Sequence, residues 1–290
     1  MPATPFLDRI RASLAAATSV RKNIRWAPIL DRAREIVESY DTKVMLRQLF
    51  YRLVSLSLIP NVRSSYARLS ALTAKARRQG SFPDLLDKTS GIWRPLSFSG
   101  PPTARQWLRD QYERRRTEGQ PWSIYLGVEK VGMEEQLKSW FGEQHLPIVA
   151  LGGYASQTLV DEVREDIEER GQPAVLIYAG DLDPTGEDID RDFIHRVRHF
   201  SRVVRIALDE DQVEEHQLEF NADAEVMDKL GKDPRAAKFQ ERHGDLVQYE
   251  LDALDPDVLR DLYENAIDEF WDEEAFQAVL RQEARDKKRL

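Results

Sequence analysis

The pattern of apolar positions changes near residue 120 and divides the chain into two parts. Before that point, apolar residues recur three or four positions apart, which is the spacing of amphipathic helices. Residues 8–40 follow this spacing, with Pro28 marking a break or a helix start, and residues 42–59 follow it again. The second stripe consists of Leu46, Leu49, Phe50, Leu53 and Leu56.

After residue 122, short apolar runs alternate with helical patterns. This alternation predicts an α/β fold whose second part is a doubly wound, mostly parallel sheet, over residues 119–290. Residues 247–251 are a candidate for one more strand, and Asp255-Pro256 opens a helical tail. The predicted strands are Ser123–Val128, 147–151, 175–179 and 203–208, and the predicted helices are 133–143, 156–170 and 187–199.

The first part has the order of elements that is typical of a winged helix. A helix in residues 42–59 and a basic helix at 64–79 precede residues 81–100, whose Pro, Gly and short apolar pieces predict a β-hairpin wing. We therefore expect a helical extension over 1–40 and a winged-helix DNA-binding domain over 41–118. A plain helical bundle with a basic surface is the alternative. The candidate DNA-binding residues are Arg52, Arg63, Arg68, Lys75, Arg77 and Arg78.

The distribution of charge supports a nucleic-acid partner. The net charge is −9, but residues 1–120 hold 22 Lys and Arg against 10 Asp and Glu, a balance of +12. The remaining residues hold 20 against 41, a balance of −21. A basic part joined to an acidic part indicates a polyanion-binding module beside a carboxylate-rich one.

Composition excludes several classes of protein. The sequence has no cysteine, which excludes disulfides, thiolate zinc sites and a cysteine nucleophile. No run of 18 apolar residues occurs, so no membrane span is predicted, and the first residues do not resemble a signal peptide. We expect a cytoplasmic, nucleoid-associated protein.

Two carboxylates follow the predicted strand 175–179 and are the first candidate for chemistry. Asp181 and Asp183 come directly after Gly180, at the carboxyl end of a strand, where open α/β sheets place their sites. At this spacing both side chains can reach one hard cation such as Mg²⁺. Alternatively, Asp183 before Pro184 is a helix N-cap, which explains Asp183 alone. Glu129 ends the first predicted strand in the same way.

These motifs together resemble a known family. Val-Glu-Lys at 128–130, Gly-Gly-Tyr at 152–154 and Gly-Asp-Leu-Asp-Pro-Thr-Gly at 180–186 resemble the Toprim domain. The form with Pro and Gly after the second Asp is similar to the A subunit of topoisomerase VI and to the related meiotic double-strand-break transesterases. In that family a winged-helix domain precedes the Toprim domain and carries an Arg followed by a tyrosine nucleophile. Arg47 and Tyr51 fit this pattern in the same domain order.

The resemblance implies a type IIB topoisomerase-like reaction on double-stranded DNA. Tyr51 would attack a phosphate and form a 5′-phosphotyrosyl link, and Arg47 would bind that phosphate or lower the pKa of the tyrosine. Glu129, Asp181 and Asp183 would hold Mg²⁺, with Mn²⁺ as an alternative ion. A homodimer is implied, because in the family the tyrosine of one protomer works with the metal site of the other. A separate ATPase subunit is the family's further partner.

The sequence also departs from the family's pattern. The chain is shorter than a typical A subunit, and Phe50 stands where many relatives have a first tyrosine. No G-x-x-x-x-G-K-[ST] loop occurs, so this chain is not expected to use ATP. Two other functions stay open at this point: a Toprim nuclease in which metal-activated water attacks, and a non-catalytic winged-helix DNA-binding dimer.

Overall fold

Four apolar runs of the second part form one parallel sheet. A computed structural model describes residues 24–86, 94–219 and 224–290. In it the strand order is β2-β1-β3-β4, and all neighbouring strands are parallel. The α/β class and the parallel sheet predicted from the sequence are therefore confirmed, and this sheet is compatible with a Toprim-like one. The strands are β1 (Ser123–Val128), β2 (Ile148–Ala150), β3 (Ala174–Ala179) and β4 (Phe200–Ala207).

Twelve α-helices lie within the described residues. Four of them begin and end within two residues of predicted bounds: Arg63–Arg78, Glu134–Phe141, Gln157–Arg170 and Gly186–Val197. They are α1 (Trp26–Glu38), α2 (Leu46–Ser55), α3 (Arg63–Arg78), α4 (Pro101–Gln111), α5 (Glu134–Phe141), α6 (Gln157–Arg170), α7 (Gly186–Val197), α8 (Glu210–Glu215), α9 (Ala224–Gly231), α10 (Ala236–His243), α11 (Pro256–Asp268) and α12 (Glu273–Lys287).

Strands β1 and β3 form the centre of the sheet, and every residue in them is buried. Successive side chains of a strand point to opposite faces, so each strand contributes to two cores. Leu126 and Ile177 belong to a core that includes Tyr263 of α11, whereas Leu176 belongs to the other core with Phe193 of α7. Helices thus cover both faces, as parallel sheets require.

The register of β1 against β3 brings the ends of these strands together. Val128 is paired with Ala179, and the amide of Glu129 donates to the carbonyl oxygen of Ala179 over 3.0 Å. The residues that follow the two strands therefore start from neighbouring positions at the carboxyl edge. This placement is what the sequence alone could not supply.

Helices α1, α2 and α3 pack around a separate core that contains Leu49, Leu53 and Leu69. Helix α2 also contacts a 3₁₀ turn, Leu251–Ala253, which belongs to the second part of the chain. In addition, Nε2 of Gln48 donates to Oε1 of Gln136, a buried contact of 2.9 Å. The basic part is therefore joined directly to the sheet region.

The predicted wing is not confirmed. Residues 81–86 and 94–100 contain no strand, and the pairing found there is one parallel bridge between Met45 and Leu86. Residues 87–93, in the middle of the expected hairpin, and 1–23, in the expected extension, lie outside the described residues. The winged-helix assignment and the domain boundaries stay predictions.

Two further expectations are answered by the structure. The candidate strand at 247–251 forms a single antiparallel bridge between Leu182 and Tyr249 instead of a strand. Within the described residues, no helix is both long and apolar enough to cross a membrane.

Candidate active site at the carboxyl edge of the sheet

Glu129 and Asp181 lie next to each other at the edge where β1 and β3 end. The amide of Asp181 donates to Oε2 of Glu129 over 2.9 Å, and both side chains are buried. The turn after β3 packs closely, because a Cβ on Gly186 would lie 2.6 Å from the carbonyl oxygen of Asp181. The pairing of β1 with β3 thus brings together two acids that the sequence placed only at the ends of separate strands.

The ammonium of Lys130 lies between these two carboxylates. It forms an ion pair with Asp181 and lies 3.5 Å from Oε1 of Glu129. Burial and the negative charge of Asp181 raise the pKa of Glu129 to about 7. Burial lowers the pKa of Lys130, but the charges of Asp181 and Glu129 outweigh it and raise that pKa. A positive charge is therefore already favoured at this point of the edge.

Asp183 is buried in the following turn and is held by other contacts. Its Oδ1 accepts hydrogen bonds from the amides of Thr185 (2.9 Å) and Gly186 (2.7 Å), where α7 begins. Its Oδ2 accepts from Nε2 of Gln248 over 3.1 Å. Asp183 thus supports the turn that leads into α7, but it is not the N-cap that the capping alternative predicts, because α7 begins at Gly186 with Thr185 before it. The charge of Asp183 also contributes to the raised pKa of Glu129.

The donor chemistry of this edge fits Mg²⁺. Carboxylate oxygens are its preferred ligands, and it is usually held by one or two carboxylates together with substrate phosphates. Glu129 and Asp181 supply two such groups. Among the described residues, no group of three or more His, Cys, Asp or Glu side chains is arranged to hold an ion. A bound Mg²⁺ would therefore depend on Glu129 and Asp181 alone, and it would have to displace the ammonium of Lys130 from them.

One segment, residues 248–252, connects this edge to the basic part of the chain, and we call it the bridging segment. The backbones of Leu182 and Tyr249 exchange two hydrogen bonds, of 3.0 and 3.1 Å. The amide of Leu251 donates to Oδ1 of Asp181 over 2.9 Å. The bridging segment therefore lies directly along the Asp181–Asp183 turn.

The acids of the bridging segment bind Arg47 on α2. The guanidinium of Arg47 forms an ion pair with Glu250, and its Nε lies 3.4 Å from Oδ2 of Asp252. Asp252 is buried, and burial raises its pKa to about 6. Arg47, predicted as a phosphate ligand, is thus engaged by carboxylates of its own chain.

Tyr51 lies one helical turn after Arg47, as the sequence predicts, and is 7% exposed. Burial and the charge of Glu250 raise the pKa of Tyr51 well above its ordinary value. Arg47 opposes this through its charge and through a side-chain hydrogen bond, both of which lower the pKa. The tyrosine also lines a cavity of about 370 Å³ between α2, α3 and α9, so it is accessible from one side.

The predicted DNA-binding residues occupy two helices. Arg52 lies on α2, exposed, with its Nε 3.6 Å from Oδ2 of Asp255. The others lie along α3, mostly exposed, and of these Arg63 lines the cavity beside Tyr51. The residues on α3 are Arg63, Arg68, Lys75, Arg77 and Arg78.

Sequence reasoning missed Arg205 and the bridging segment. Arg205, on β4, donates to the carbonyl oxygen of Asp181 over 2.7 Å and forms an ion pair with Asp190 of α7. A signal for it existed, since an arginine inside an otherwise apolar strand needs a partner. Glu250 and Asp252 likewise repeat the one-residue spacing of Asp181 and Asp183.

Comparison with known proteins does not assign a family. No protein-family model matches the sequence. A search of curated proteins found no matching relative either. The resemblance to the Toprim transesterases therefore rests on the motifs of the sequence.

Proposed function

We propose that this protein cleaves DNA by tyrosine transesterification, in the manner of a type IIB topoisomerase A subunit. The observation that supports this most is the double contact of the bridging segment. Leu251 holds Asp181, and Glu250, the preceding residue, pairs with Arg47 beside Tyr51. The groups that the resemblance assigns to metal binding and to nucleophilic attack therefore belong to one contact network.

Each group has a role in the proposed reaction. The hydroxyl oxygen of Tyr51 bonds to phosphorus, the bond from phosphorus to the 3′-oxygen breaks, and the phenol's proton is lost while the 3′-oxygen gains one. Arg47 holds the phosphate and favours the phenolate. Glu129 and Asp181, with Asp183 behind them, would hold Mg²⁺ or Mn²⁺. When bound, the ion would supply charge stabilisation at the phosphate oxygens and at the leaving oxygen.

The contacts of Tyr51 describe a resting state. Its pKa is raised by burial and by Glu250, which disfavours the phenolate. A DNA phosphate bound to Arg47 would replace Glu250 there and remove that carboxylate from the tyrosine. We therefore propose that DNA displaces Glu250 from Arg47 before attack.

The basic helix α3 is the proposed duplex-binding element of a winged-helix domain. Its exposed Arg63, Arg68, Lys75 and Arg78 lie on one helix and can contact phosphates or base edges of a major groove. A homodimer would cut both strands, each tyrosine working with the partner's metal site, and a separate ATPase subunit is the proposed further partner. Such a protein would act at the nucleoid.

The burial of Tyr51 favours a second candidate function, a nuclease. A tyrosine that is 7% exposed and lies beside a carboxylate is also what a structural residue looks like. In that case Glu129 and Asp181 would hold the metal, water would attack the phosphate, and Tyr51 would only pack.

One assay separates the two functions. Supercoiled DNA is incubated with the protein and Mg²⁺ or Mn²⁺, quenched with detergent, and digested with protease before electrophoresis. Protein linked to 5′ ends, absent in Tyr51→Phe and retained in the control Tyr40→Phe, supports the transesterase. Unlinked ends that persist in Tyr51→Phe support the nuclease. Asp181→Asn is expected to lose linked and unlinked ends alike, whichever function is right. Binding of DNA without cleavage in Mg²⁺ and in Mn²⁺ contradicts both functions.

A further inference from the structure

The cavity beside Tyr51 has a composition that the proposed cleavage reaction does not by itself explain. It has a volume of about 370 Å³ and is walled by α2, by the loop that leads into α3, by α9 and by Glu250. Ligand pockets in proteins range from about 300 to 1,000 Å³, so this volume suits one small organic unit. A DNA duplex, with a major groove alone about 12 Å wide, is far too large to enter.

The charge of the lining favours an anion. Arg47, Arg63 and Lys229 line the cavity, against a single carboxylate, Glu250. Arginine binds phosphate oxygens through two parallel N–H groups, which makes it a common phosphate ligand. The lining thus contains more cationic side chains than carboxylates.

Aromatic rings form the apolar side of the same cavity. The ring centroids of Phe50 and Tyr66 lie 5.3 Å apart, with the ring planes at 86°. Phe50 also lies 5.3 Å from Tyr51. Phe50 is buried, whereas Tyr66 is only partly buried and presents surface to the cavity. Rings of this kind are surfaces on which nucleic-acid bases stack.

A polar group in the wall has no partner of its own. Asn61 lines the cavity, and its buried Nδ2 makes no hydrogen bond within the part of the chain that the structure describes. A buried donor without an acceptor costs stability, so such a group indicates an acceptor supplied by a ligand. Carbonyl and ring-nitrogen acceptors on a base would satisfy it.

We propose that this cavity receives one unpaired nucleotide of the DNA substrate. Its base would pack against Tyr66 with an acceptor on Asn61, and its phosphate would lie on Arg47 and Arg63, next to the hydroxyl of Tyr51. Enzymes that must reach a group buried in a duplex extrude the nucleotide or use unpaired substrate. This inference rests on the proposed function and adds a substrate preference, for DNA with a locally unpaired nucleotide.

The test measures binding without cleavage. Tyr51→Phe protein in EDTA is titrated, by fluorescence anisotropy, onto a labelled hairpin duplex with one unpaired thymidine and onto the same hairpin fully paired. The bulged hairpin is expected to bind about tenfold more tightly, as one stacked base contributes. Equal affinities for the two hairpins would overturn the inference.

Variants locate the preference in the cavity. Tyr66→Leu or Asn61→Ala, each added to Tyr51→Phe, is expected to remove the preference and leave affinity for the paired hairpin unchanged. Two readouts protect against misfolding: far-ultraviolet circular dichroism and the retained affinity for the paired hairpin. Arg63→Ala and Arg78→Ala are a matched pair on α3, and only Arg63 lines the cavity. Arg78→Ala should weaken both hairpins equally, and a preference that survives Tyr66→Leu and Asn61→Ala would overturn the inference.

Two further arms separate the alternatives. Thymidine monophosphate should displace the bulged hairpin only weakly; if it binds more tightly than the hairpin, the cavity is a site for free nucleotides and the inference is wrong. Cleavage by the unmodified protein without any bulge preference would contradict this inference alone and would leave the proposed transesterase function unaffected. A bulge preference without cleavage would contradict the proposed function but support the cavity as a nucleotide site.

Discussion

The backbone amide of Leu251 donates a 2.9 Å hydrogen bond to Oδ1 of Asp181. The side chain of Leu251 is fully buried in the core beside the sheet. Glu250 and Asp252, the residues on either side of it, both reach Arg47. The bridging segment thus packs into the core through Leu251, binds Asp181 at the edge of the sheet, and pairs with Arg47 of the basic part.

Replacing Glu250 with Gln should strengthen DNA binding. The variant removes the carboxylate that pairs with Arg47 and leaves that guanidinium available to a phosphate. Because the side chain of Arg47 is 45% exposed, the gain is expected to be modest, about two- to fivefold in the dissociation constant. Fluorescence anisotropy with a paired duplex in EDTA measures it. Glu143→Gln, which removes an exposed acid elsewhere, is the control, and an equal gain there would attribute the effect to net charge alone.

Replacing Asp252 with Asn should change how stability depends on pH. Burial raises the pKa of Asp252 from its ordinary 3.8 to about 6. Between these values the folded protein keeps the proton and the unfolded chain has lost it, so this group makes stability fall as pH rises. Above pH 6 Asp252 is ionised in the folded protein, and its ionisation lowers the stability of the folded state by the full amount, about 3 kcal/mol. Asp252→Asn removes it, so the variant should gain stability over the parent protein between about pH 4 and pH 6.

Urea denaturation at a series of pH values measures this difference. Other groups, including Glu129, titrate in both proteins and cancel in the comparison. Asp261→Asn, on the exposed face of α11, is the control that removes an acid elsewhere on the surface. A constant difference between Asp252→Asn and the parent across this range would show that Arg47 keeps Asp252 ionised throughout.

Replacing Arg205 with Leu should destabilise the fold, because it leaves the carboxylate of Asp190 buried without its cation. Asp190 is 8% exposed, and Arg205 also binds the carbonyl oxygen of Asp181. Breaking a buried pair on one side costs about 3 kcal/mol or more. Chemical denaturation measures the loss, and adding Asp190→Leu should restore most of it. Arg191→Leu, whose guanidinium is exposed, should cost less than about 1 kcal/mol. Similar losses for the two arginines would contradict the argument.

The features of this site that the sequence predicts are those set by residues close together along the chain. Strand β1 was predicted with its observed bounds, because a buried parallel strand is an uninterrupted apolar run. Glu129 and Asp181 were each predicted at the carboxyl end of a strand, but that the two acids meet depends on the pairing of β1 with β3, which the structure supplies. Local pattern and the rules of parallel sheets suffice only to place each acid at that edge.

The other contacts depend on chain segments that are distant in sequence. No local pattern places Leu251 on Asp181 or Glu250 on Arg47, since those partners are set by how the segment after α10 returns across the edge. The expected strand at 247–251 fails for the same reason: the segment makes one bridge to Leu182 and then turns toward α2. Nor does sequence reveal that Lys130 neutralises the acids beside it.

The last prediction concerns the metal and the ammonium that competes with it. Lys130 pairs with Asp181 and lies 3.5 Å from Glu129, so a divalent ion and this ammonium cannot share the two carboxylates. In the parent protein the ion must displace Lys130, which weakens its binding. Lys130→Gln removes the competitor, and Mg²⁺ or Mn²⁺ should then bind more tightly and stabilise the folded state by mass action, about 3 kcal/mol at a hundredfold excess over the dissociation constant.

Thermal unfolding with and without each ion, and isothermal titration calorimetry, measure this without any cleavage. Asp181→Asn added to Lys130→Gln should abolish the stabilisation, whereas Asp192→Asn, a change on α7 outside the acid pair, should not. If Lys130→Gln binds neither ion, Lys130 is the resident counter-ion of Glu129 and Asp181, and the edge is not a metal site.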